Sequence, residues 1–592
     1  MSKRRMNVSA IVSRRQKNLA EKAQRDANYK FDDLLSLLSG LQWVGHSFYR
    51  VVTNTGAKTS GVDGINKAHF LRKDGKELSV RKVNSFVTKL SDDLRRRRYK
   101  PQPVKRVYIP KPRSEELRPL GIPTFRDRVA QDCFRALFEP IWESDFLDVS
   151  YGFRPQRNTW HAVIRTQPVV INKYHWVIEG DLRKFFDTVN HQILLSQLRR
   201  RIKDWKVINI VRDILKSGVL DDALFSNVLE GTPQGGVFSP LLSNIYLHQF
   251  DSWYMKRWNL TKSQRAYRRR KGLGAFSLIR YADDWIILTN APRKLVELER
   301  EEISQFLHTI RLKLNMDKTR ITHLRDGFNF LGFNCRVFSQ KHSNKVFYRI
   351  NPRKDNIIRF RYKIKSLTKR DSVNVEYRSK LIALNQVIRG WGYYYRYTHS
   401  YKIFTLLDWY VSQRMLRWLK AKTQKGANYC LKRYQLRKEN RNEWGSKAIP
   451  NTQEKDIFLF RLATIGVESD PRIQAKKGVR TPPKGNPYIF EYDDSEDQPY
   501  LLGITNRFAE KTDKERTLLI PKDWQGNVGM PGHPDGWSAK ARRTKTFDVR
   551  CVDCGAITDL AVHHRRHKDE SGRLNRTLCR ECHQELHKQL KK

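Results

Sequence analysis

Residues 276–288, FSLIRYADDWIIL, place two adjacent carboxylates between two apolar runs. This pattern predicts two strands joined by a tight turn, with Asp283 and Asp284 at the tip of a hairpin. Neighbouring carboxylates repel each other unless a divalent cation lies between them. Upstream, HWVIEGDLRKFFD at 175–187 predicts another strand, which ends at Asp181. Three carboxylates at strand ends can hold two Mg²⁺ ions, the usual arrangement for in-line phosphoryl transfer.

The composition indicates a partner of opposite charge. The 592 residues include 115 Lys and Arg against 61 Asp and Glu, a net charge of +54 spread over most of the chain. A folded protein this basic binds polyanions, and long nucleic acid is the principal one. Ribosomal-type structural proteins share such a charge but lack acidic catalytic segments.

Targeting signals are weak in this sequence. No apolar run approaches the 18 residues of a transmembrane helix, so no membrane partner is expected. The N-terminus, MSKRRMNVSAIVSRRQKNLAEK, is basic but lacks the apolar core of a signal peptide. An organellar presequence is the alternative, although Glu21 and Asp26 weaken it. We therefore expect a cytoplasmic or nucleoid-associated protein, with an organelle as the other location.

The segment Tyr281-Ala282-Asp283-Asp284 resembles the YxDD box of reverse transcriptases. Further segments resemble that family in the same order, namely RVYIPKPRSEELRPLGIPTFRDRVAQ at 106–131, EGDLRKFFDTVNH at 179–191, GTPQGGVFSPLLSNIYL at 231–247, and LNMDKTRITHL with FNFLGF at 314–333. One acidic pair alone has little value, but several ordered motifs are specific. The resemblance implies polymerase fingers and palm over residues 49–345, preceded by a basic helical extension over residues 1–48.

The resemblance also implies roles for individual residues. Asp181, Asp283 and Asp284 would bind Mg²⁺, with the Leu182 carbonyl as an additional ligand, and Lys318 would protonate the departing pyrophosphate unless it is a surface lysine. Phe186 would exclude the ribose 2′-hydroxyl, unless it is a core residue. The incoming deoxynucleoside triphosphate and its base pair would contact Lys111, Arg118, Phe186, Gln234 and Ala282.

Residues 346–430 predict amphipathic helices in the position of a polymerase thumb. Within them, LNQVIRGWGYYYRY at 384–397 resembles the maturase domain of group II intron-encoded proteins. Arg389, Trp391, Tyr394 and Arg396 would then contact intron RNA, although about half of the aromatic rings are expected in the thumb core. Residues 431–537 are interpreted as a basic DNA-binding region and a linker, from position and charge.

The C-terminal residues 538–592 are rich in potential metal ligands. Two CxxC pairs, Cys551 with Cys554 and Cys579 with Cys582, predict one structural Zn²⁺. The interleaved histidines and asparagine resemble an HNH endonuclease. In that family the roles would be Mg²⁺ or Mn²⁺ binding by His563, His583 and His587, general base catalysis by His564, and orientation of that base by Asn575. A zinc knuckle that binds DNA without cleaving it is the alternative.

The sequence therefore predicts a multidomain α+β protein: right-hand polymerase fingers and palm, a helical thumb, a basic DNA-binding region and a small zinc-bound ββα-metal HNH module. The resemblance implies an RNA-directed DNA polymerase, maturase and DNA endonuclease. Its partners would be a group II intron RNA, as a lariat ribonucleoprotein, and double-stranded target DNA. The alternatives are a retron, diversity-generating or defence reverse transcriptase, a polymerase-dead splicing cofactor and an HNH homing enzyme. The intact aspartates, maturase segment and nuclease segment disfavour them.

Overall fold

The structure is a computed structural model. It describes residues 2–75, 77–110, 117–167, 173–221, 224–226, 236–339, 346–448, 455–465, 485–489, 560–564 and 575–579. The chain forms two compact units, Met1–Arg507 and Phe508–Lys592, and each is described by itself. Within the described ranges, no helix has both the length and the apolar character needed to cross a bilayer.

The N-terminal helices pack around one long central helix, Phe125–Trp142, which is buried along nearly its whole length. Gln16 donates a hydrogen bond to the Ala136 carbonyl at 2.8 Å, and the Trp43 indole donates to the Cys133 carbonyl at 3.1 Å. The domain boundary expected at residue 48 therefore falls inside a helix of this cluster. The surrounding helices, including two short 3₁₀ helices, are Ser2–Arg25, Leu34–Leu38, Leu41–Thr53, Thr55–Lys58, Lys67–Phe70 and Val80–Arg95.

A small sheet follows the helical cluster. Its strand order is Leu117–Ile122, Val104–Pro110, Val219–Asp221 and Leu224–Ser226. The first two strands pair antiparallel, with Lys105 opposite Ile122. This sheet occupies the position of the predicted fingers hairpin.

The central sheet, here called the palm sheet, has four antiparallel strands. In order they are Phe276–Tyr281, Asp284–Thr289, Trp176–Gly180 and Arg320–His323. Gly180 is required beside Trp285, because a Cβ at Gly180 would come within 2.0 Å of the indole ring. The helices that accompany this sheet are Thr159–Ile164, Phe185–Thr188, His191–Arg199, Trp205–Leu215, Ser239–Trp258, Lys262–Arg270 and Arg293–Thr309.

A three-stranded sheet connects the palm to a helical thumb. Its strands are Phe328–Phe330, Phe333–Ser339 and Val346–Pro352, and the last two form one antiparallel hairpin. The expected boundary at residue 345 therefore separates two strands that pair with each other. The thumb helices, including one 3₁₀ turn, are Lys354–Leu367, Arg370–Ser372, Tyr377–Tyr395, Tyr401–Thr423 and Ala427–Tyr434.

The residues that follow the thumb helices fold back onto them. Strands Gln435–Lys438, Arg441–Ser446 and Ile457–Phe458 form a small sheet, followed by the 3₁₀ turn Leu462–Thr464. The Asn385 side chain donates to the Phe458 carbonyl at 2.8 Å, and Asp408 accepts from the Leu462 amide at 2.7 Å. The described residues up to 465 thus pack as part of the thumb, whereas the sequence placed a boundary at residue 430.

A short later segment, residues 485–489, docks on the central helix. Asn486 is buried, and its side-chain nitrogen donates to the Pro140 carbonyl at 2.7 Å and to the Ser144 hydroxyl at 2.8 Å. The Tyr488 hydroxyl donates to Glu139 at 2.8 Å. Residues 485–489, which follow the thumb in sequence, therefore lie against the C-terminal end of helix Phe125–Trp142.

In the second unit the described residues are two antiparallel strands, Leu560–His564 and Asn575–Cys579. Their register places His564 opposite Asn575, and Leu560 opposite Cys579. The remaining predicted ligands of this module, Cys551, Cys554, Cys582, His583 and His587, lie outside the described residues.

Candidate active site

The acidic turn lies where two strands of the palm sheet meet. Tyr281 pairs with Asp284 across the hairpin, and Ala282 takes a left-handed backbone conformation with φ of 57°. Ala282 is buried, whereas Asp283 and Asp284 keep contact with solvent. This is the strand, tight turn and strand that the sequence predicts, with both carboxylates at the tip.

A fully buried arginine supports this turn from below. The Arg280 guanidinium donates to the Ala282 carbonyl at 2.8 Å and to Asp251 at 2.7 Å. It also donates to the Asn244 side chain at 3.1 Å and to the Ser150 hydroxyl at 2.8 Å. A buried charge needs such partners, and here one of them is the turn itself. The sequence analysis missed Arg280, although a lone arginine in an apolar strand next to an acidic turn is a usable signal.

The third aspartate reaches the site from the neighbouring strand. Asp181 follows strand Trp176–Gly180, which pairs with the second strand of the hairpin. The Asn315 side chain donates to the Asp181 carboxylate at 2.9 Å, and the Lys318 ammonium lies 3.8 Å from the same oxygen. Leu182 is buried, and its backbone pairs with Leu314. The structure thus brings the predicted proton donor beside a predicted metal ligand.

The carboxylates influence one another electrostatically. Loss of hydration, followed by the negative charges of Asp283, Asp181 and Glu179, raises the pKa of Asp284 to about 6. Glu179 was not singled out from the sequence. Its carboxylate is held by the Thr322 hydroxyl at 2.7 Å. Mutual repulsion of this kind favours a bound cation.

The donor set fits Mg²⁺ that arrives with a substrate. Across the described residues, no preformed group of three or more His, Cys, Asp or Glu side chains is close enough to hold an ion. Protein Mg²⁺ sites commonly use one or two carboxylates and complete the coordination with water and substrate phosphates. Asp181, Asp283 and Asp284 suit that mode, and the expectation of two ions stays a prediction.

The predicted sugar gate packs against the core but keeps part of its surface exposed. Phe185 is buried, with 2% of its surface exposed, whereas Phe186 is half-buried and packs its edge on the Phe185 ring at 5.2 Å. Phe186 therefore keeps a face directed away from the core. That placement is compatible with contact to a nucleotide sugar.

The other predicted nucleotide contacts are only partly described. Lys111 and Gln234 lie outside the described residues, and Arg118 lies in a fingers strand with its backbone opposite Ile109. Helix Ser239–Trp258 begins with Pro240 in its first turn. These residues remain predictions.

The predicted RNA contacts of the thumb divide between interior and surface. The Trp391 ring lies 4.6 Å from that of Tyr395, and the Tyr394 hydroxyl donates to the Leu331 carbonyl at 2.9 Å. Both rings pack against the thumb core. Arg389 stacks on Phe460 at 5.0 Å, and Arg396 lies over Tyr397 at 4.4 Å. The arginines are therefore better placed than Trp391 and Tyr394 to meet RNA.

The comparison with known families agrees with the geometry. The profile for "Reverse transcriptase (RNA-dependent DNA polymerase)" matches residues 109–335. The profile for "Group II intron, maturase-specific domain" matches residues 357–438. These matches confirm the polymerase and maturase domains, whereas the HNH module and its zinc site stay predictions.

Individual relatives point the same way. Protein YkfC of Escherichia coli K12 is 39% identical over 344 residues, covering 54% of this chain and 87% of YkfC. Group II intron-encoded protein LtrA of Lactococcus lactis subsp. cremoris is 31% identical over 338 residues, 49% of this chain and 54% of LtrA. The putative COX1/OXI3 intron 2 protein of Saccharomyces cerevisiae is 28% identical over 394 residues, 60% of this chain and 44% of that protein. The chain thus spans about half the length of the last two.

Proposed function

The chain belongs to the group II intron reverse transcriptases that carry a maturase domain, and we propose that it copies RNA into DNA, assists splicing of its intron RNA and supports the insertion of that intron into DNA. The observation that carries the proposal is the strand pairing that brings Asp181 to the same end of the palm sheet as Asp283 and Asp284. The thumb that follows this sheet in the chain matches the maturase profile. Copying from a nicked DNA end would complete retrohoming.

The proposed polymerase chemistry assigns each residue a task. Asp181, Asp283 and Asp284 would hold Mg²⁺, which when bound supplies charge neutralisation for the triphosphate and activation of the primer hydroxyl. Lys318, whose ammonium lies 3.8 Å from the Asp181 carboxylate, would donate a proton to the departing pyrophosphate. Phe186 would reject a ribose by steric contact with its 2′-hydroxyl. Arg280, which donates to the Ala282 carbonyl, would support the turn and take no direct part.

The proposed maturase activity rests on the thumb. Arg389 and Arg396 are half-buried, and Tyr393 between them is 38% exposed, which leaves a cationic and aromatic face for RNA. Lys432 and Arg433 in the last turn of the last thumb helix continue this basic character, as does the strand Gln435–Lys438 that follows it. Target DNA is the partner we assign to the later basic residues, on position and charge.

The proposed nuclease is the least supported activity. The pairing of His564 with Asn575 in two antiparallel strands supports a ββα-metal hairpin in which Asn575 orients the general base. A Zn²⁺ held by four cysteines would stabilise the module, and Mg²⁺ or Mn²⁺ at His563, His583 and His587 would supply Lewis acidity. One strand of the DNA target would be nicked here, and the polymerase would extend the 3′ end. We place these steps in a bacterial nucleoid, with an organelle as the alternative.

A single reconstitution tests the proposal. The purified chain is combined with the RNA that surrounds its coding frame, and three products are measured: spliced exons, cDNA from an annealed primer, and nicks in a labelled target duplex. Splicing and cDNA synthesis should require Mg²⁺, and only nicking, with Mg²⁺ or Mn²⁺, should also require the C-terminal residues 538–592. Absence of cDNA on any primed RNA template would overturn the polymerase assignment, and absence of spliced exons would overturn only the maturase assignment.

A further inference from the structure

One tryptophan stands out on the surface of the helical cluster. Trp205, at the start of helix Trp205–Leu215, is 57% exposed. The guanidinium carbon of Arg97 lies 5.6 Å from the centre of its ring. An indole left in water forfeits the stabilisation that burial would give. The polymerase site described above uses neither residue.

Both residues are held in place by their backbones. The Asp204 carboxylate caps the helix by accepting from the Lys206 amide at 3.0 Å, and it also accepts from the Leu35 amide at 3.0 Å. Arg97 has φ of 58°, the left-handed region that residues with a Cβ avoid. Its amide donates to the Leu94 carbonyl at 3.1 Å, which closes the turn. The turn therefore fixes the backbone of Arg97, from which its side chain reaches the Trp205 ring.

The charges around the pair leave Arg97 available. Arg96 and Arg98 both bind Asp92, at 2.7 Å and 2.5 Å. For Arg97, no carboxylate of the described chain lies within ion-pair distance, and its planar guanidinium faces the indole instead. The residues that neighbour the pair in the chain include the exposed cations Arg95, Lys100, Lys203 and Lys206, of which Lys203 lies 3.7 Å from Asp32.

We infer that Trp205 and Arg97 form a stacking site for an unpaired base of bound RNA. An exposed indole offers a face to any base, and a guanidinium plane stacks on bases and binds the adjoining phosphate. A protein partner would favour a wider apolar surface, whereas here a single exposed ring contacts Arg97 and has further cations near it in the chain. The inference rests on the proposed function that the chain binds RNA, and it specifies where single-stranded RNA is held outside the polymerase site.

The test compares two RNA probes, a 20-nucleotide oligo(U) and a 20-base-pair RNA duplex. Trp205→Ala should weaken oligo(U) binding about tenfold, the usual scale for one stacked base, and leave duplex binding within about twofold of wild type. Trp205→Phe should restore most of the affinity. Arg97→Gly relieves the left-handed strain, so its unfolding temperature should be no lower than wild type while its oligo(U) affinity falls. A purely structural role for Arg97 would not separate these two measurements.

Leu298→Ala is the matched control, because Leu298 is 54% exposed on the acid-rich helix Arg293–Thr309. It should bind both probes like wild type. Equal weakening of both probes by Trp205→Ala, or wild-type binding by that variant, would overturn the stacking site while leaving the proposed function intact. A change in oligomeric state without a change in RNA affinity would assign Trp205 to contact with a second copy. If the wild-type chain binds no RNA at all, the proposed function itself fails.

Discussion

The α-carbon of Gly152 lies directly against the backbone of Ala282. A methyl group on Gly152 would come within 2.4 Å of the Ala282 nitrogen. The Gly152 carbonyl accepts a hydrogen bond from Asn244 at 2.8 Å, and Asn244 in turn accepts from Arg280. The acidic turn is therefore confined by a glycine on one side and by a buried arginine on the other.

Gly152→Ala should displace the turn and slow primer extension by about 10²-fold, the scale for a misplacement of about 1 Å. The measurement is single-turnover extension on an annealed RNA template, with RNA affinity determined in parallel and expected to be unchanged. Gly45→Ala is the control, because a Cβ there meets no atom within 4 Å. A wild-type extension rate for Gly152→Ala would mean that displacement of the acidic turn does not affect primer extension.

Replacing both turn carboxylates, Asp283→Asn with Asp284→Asn, should abolish primer extension at all Mg²⁺ concentrations. RNA affinity should remain close to wild type, because two charges are few against a net +54. Asp187 is an exposed acid in the same sequence motif as Asp181. The Asp187→Asn variant should keep its polymerase activity. Full-length cDNA from the double variant would refute the assignment of these residues to metal binding.

Arg280→Lys should clearly slow primer extension while lowering the unfolding temperature only slightly. A lysine keeps a positive charge near Asp251 but cannot also reach Ala282, Asn244 and Ser150. Arg280→Met should instead unfold the protein more easily, by about 3–5 kcal/mol, because it leaves Asp251 buried and unpaired. Rates and thermal unfolding are compared with Arg293→Lys, whose ion pair is exposed and whose loss should be silent. If the slower extension by Arg280→Lys is accompanied by a large fall in its unfolding temperature, the role of Arg280 is structural only.

Phe186→Ala should raise the incorporation of ribonucleotides relative to deoxyribonucleotides, because the half-buried ring is the proposed barrier to the 2′-hydroxyl. The readout is the ratio of kcat/KM for the two sugar types. Phe185→Ala is the contrasting variant: it empties a core position and should destabilise the protein by about 3–5 kcal/mol without a comparable change in sugar preference. An unchanged ratio in Phe186→Ala would return that residue to the core.

His564→Ala removes the proposed general base but none of the proposed ligands, so zinc content should persist. Nicking of the second DNA strand should fall by about 10²-fold or more. Cys551→Ser should instead release zinc and unfold the module, while splicing and primed extension continue. Both are assayed as ribonucleoprotein on labelled duplex with Mg²⁺ or Mn²⁺. Nicking at the wild-type rate by His564→Ala would make the module a DNA-binding knuckle.

The acidic hairpin was predictable because its signals are local. Apolar runs on either side of Asp283 and Asp284 specify two strands, and strand pairing then fixes which residues form the tip. The strand that ends at Asp181 was predicted from its own sequence as well, but its pairing with the hairpin is a long-range contact that the pattern does not specify. Periodicity identified the thumb helices, but it could not say that Trp391 and Tyr394 pack inwards, because aromatic rings serve cores and RNA surfaces alike.

The features that escaped prediction depend on distant contacts. Arg280 finds Asp251 and Ser150 on other elements, and nothing in the sequence near Arg280 encodes those partners. The short strands after residue 434 carry too few residues for a clear alternation, so their packing on the thumb was invisible. The left-handed conformation of Arg97 was hidden for a similar reason, since four consecutive arginines give no turn signal of their own.

The docking of Asn486 and Tyr488 has a practical consequence for dissecting the protein. A fragment cut at residue 438, where the maturase match ends, would strip two hydrogen-bonded side chains from the central helix and expose Glu139 with its partner Arg135 to water. Shortened versions intended to report on copying alone should therefore extend through residue 489. Part of the packing on the central helix of the polymerase therefore comes from residues that position and charge had assigned to the DNA-binding region.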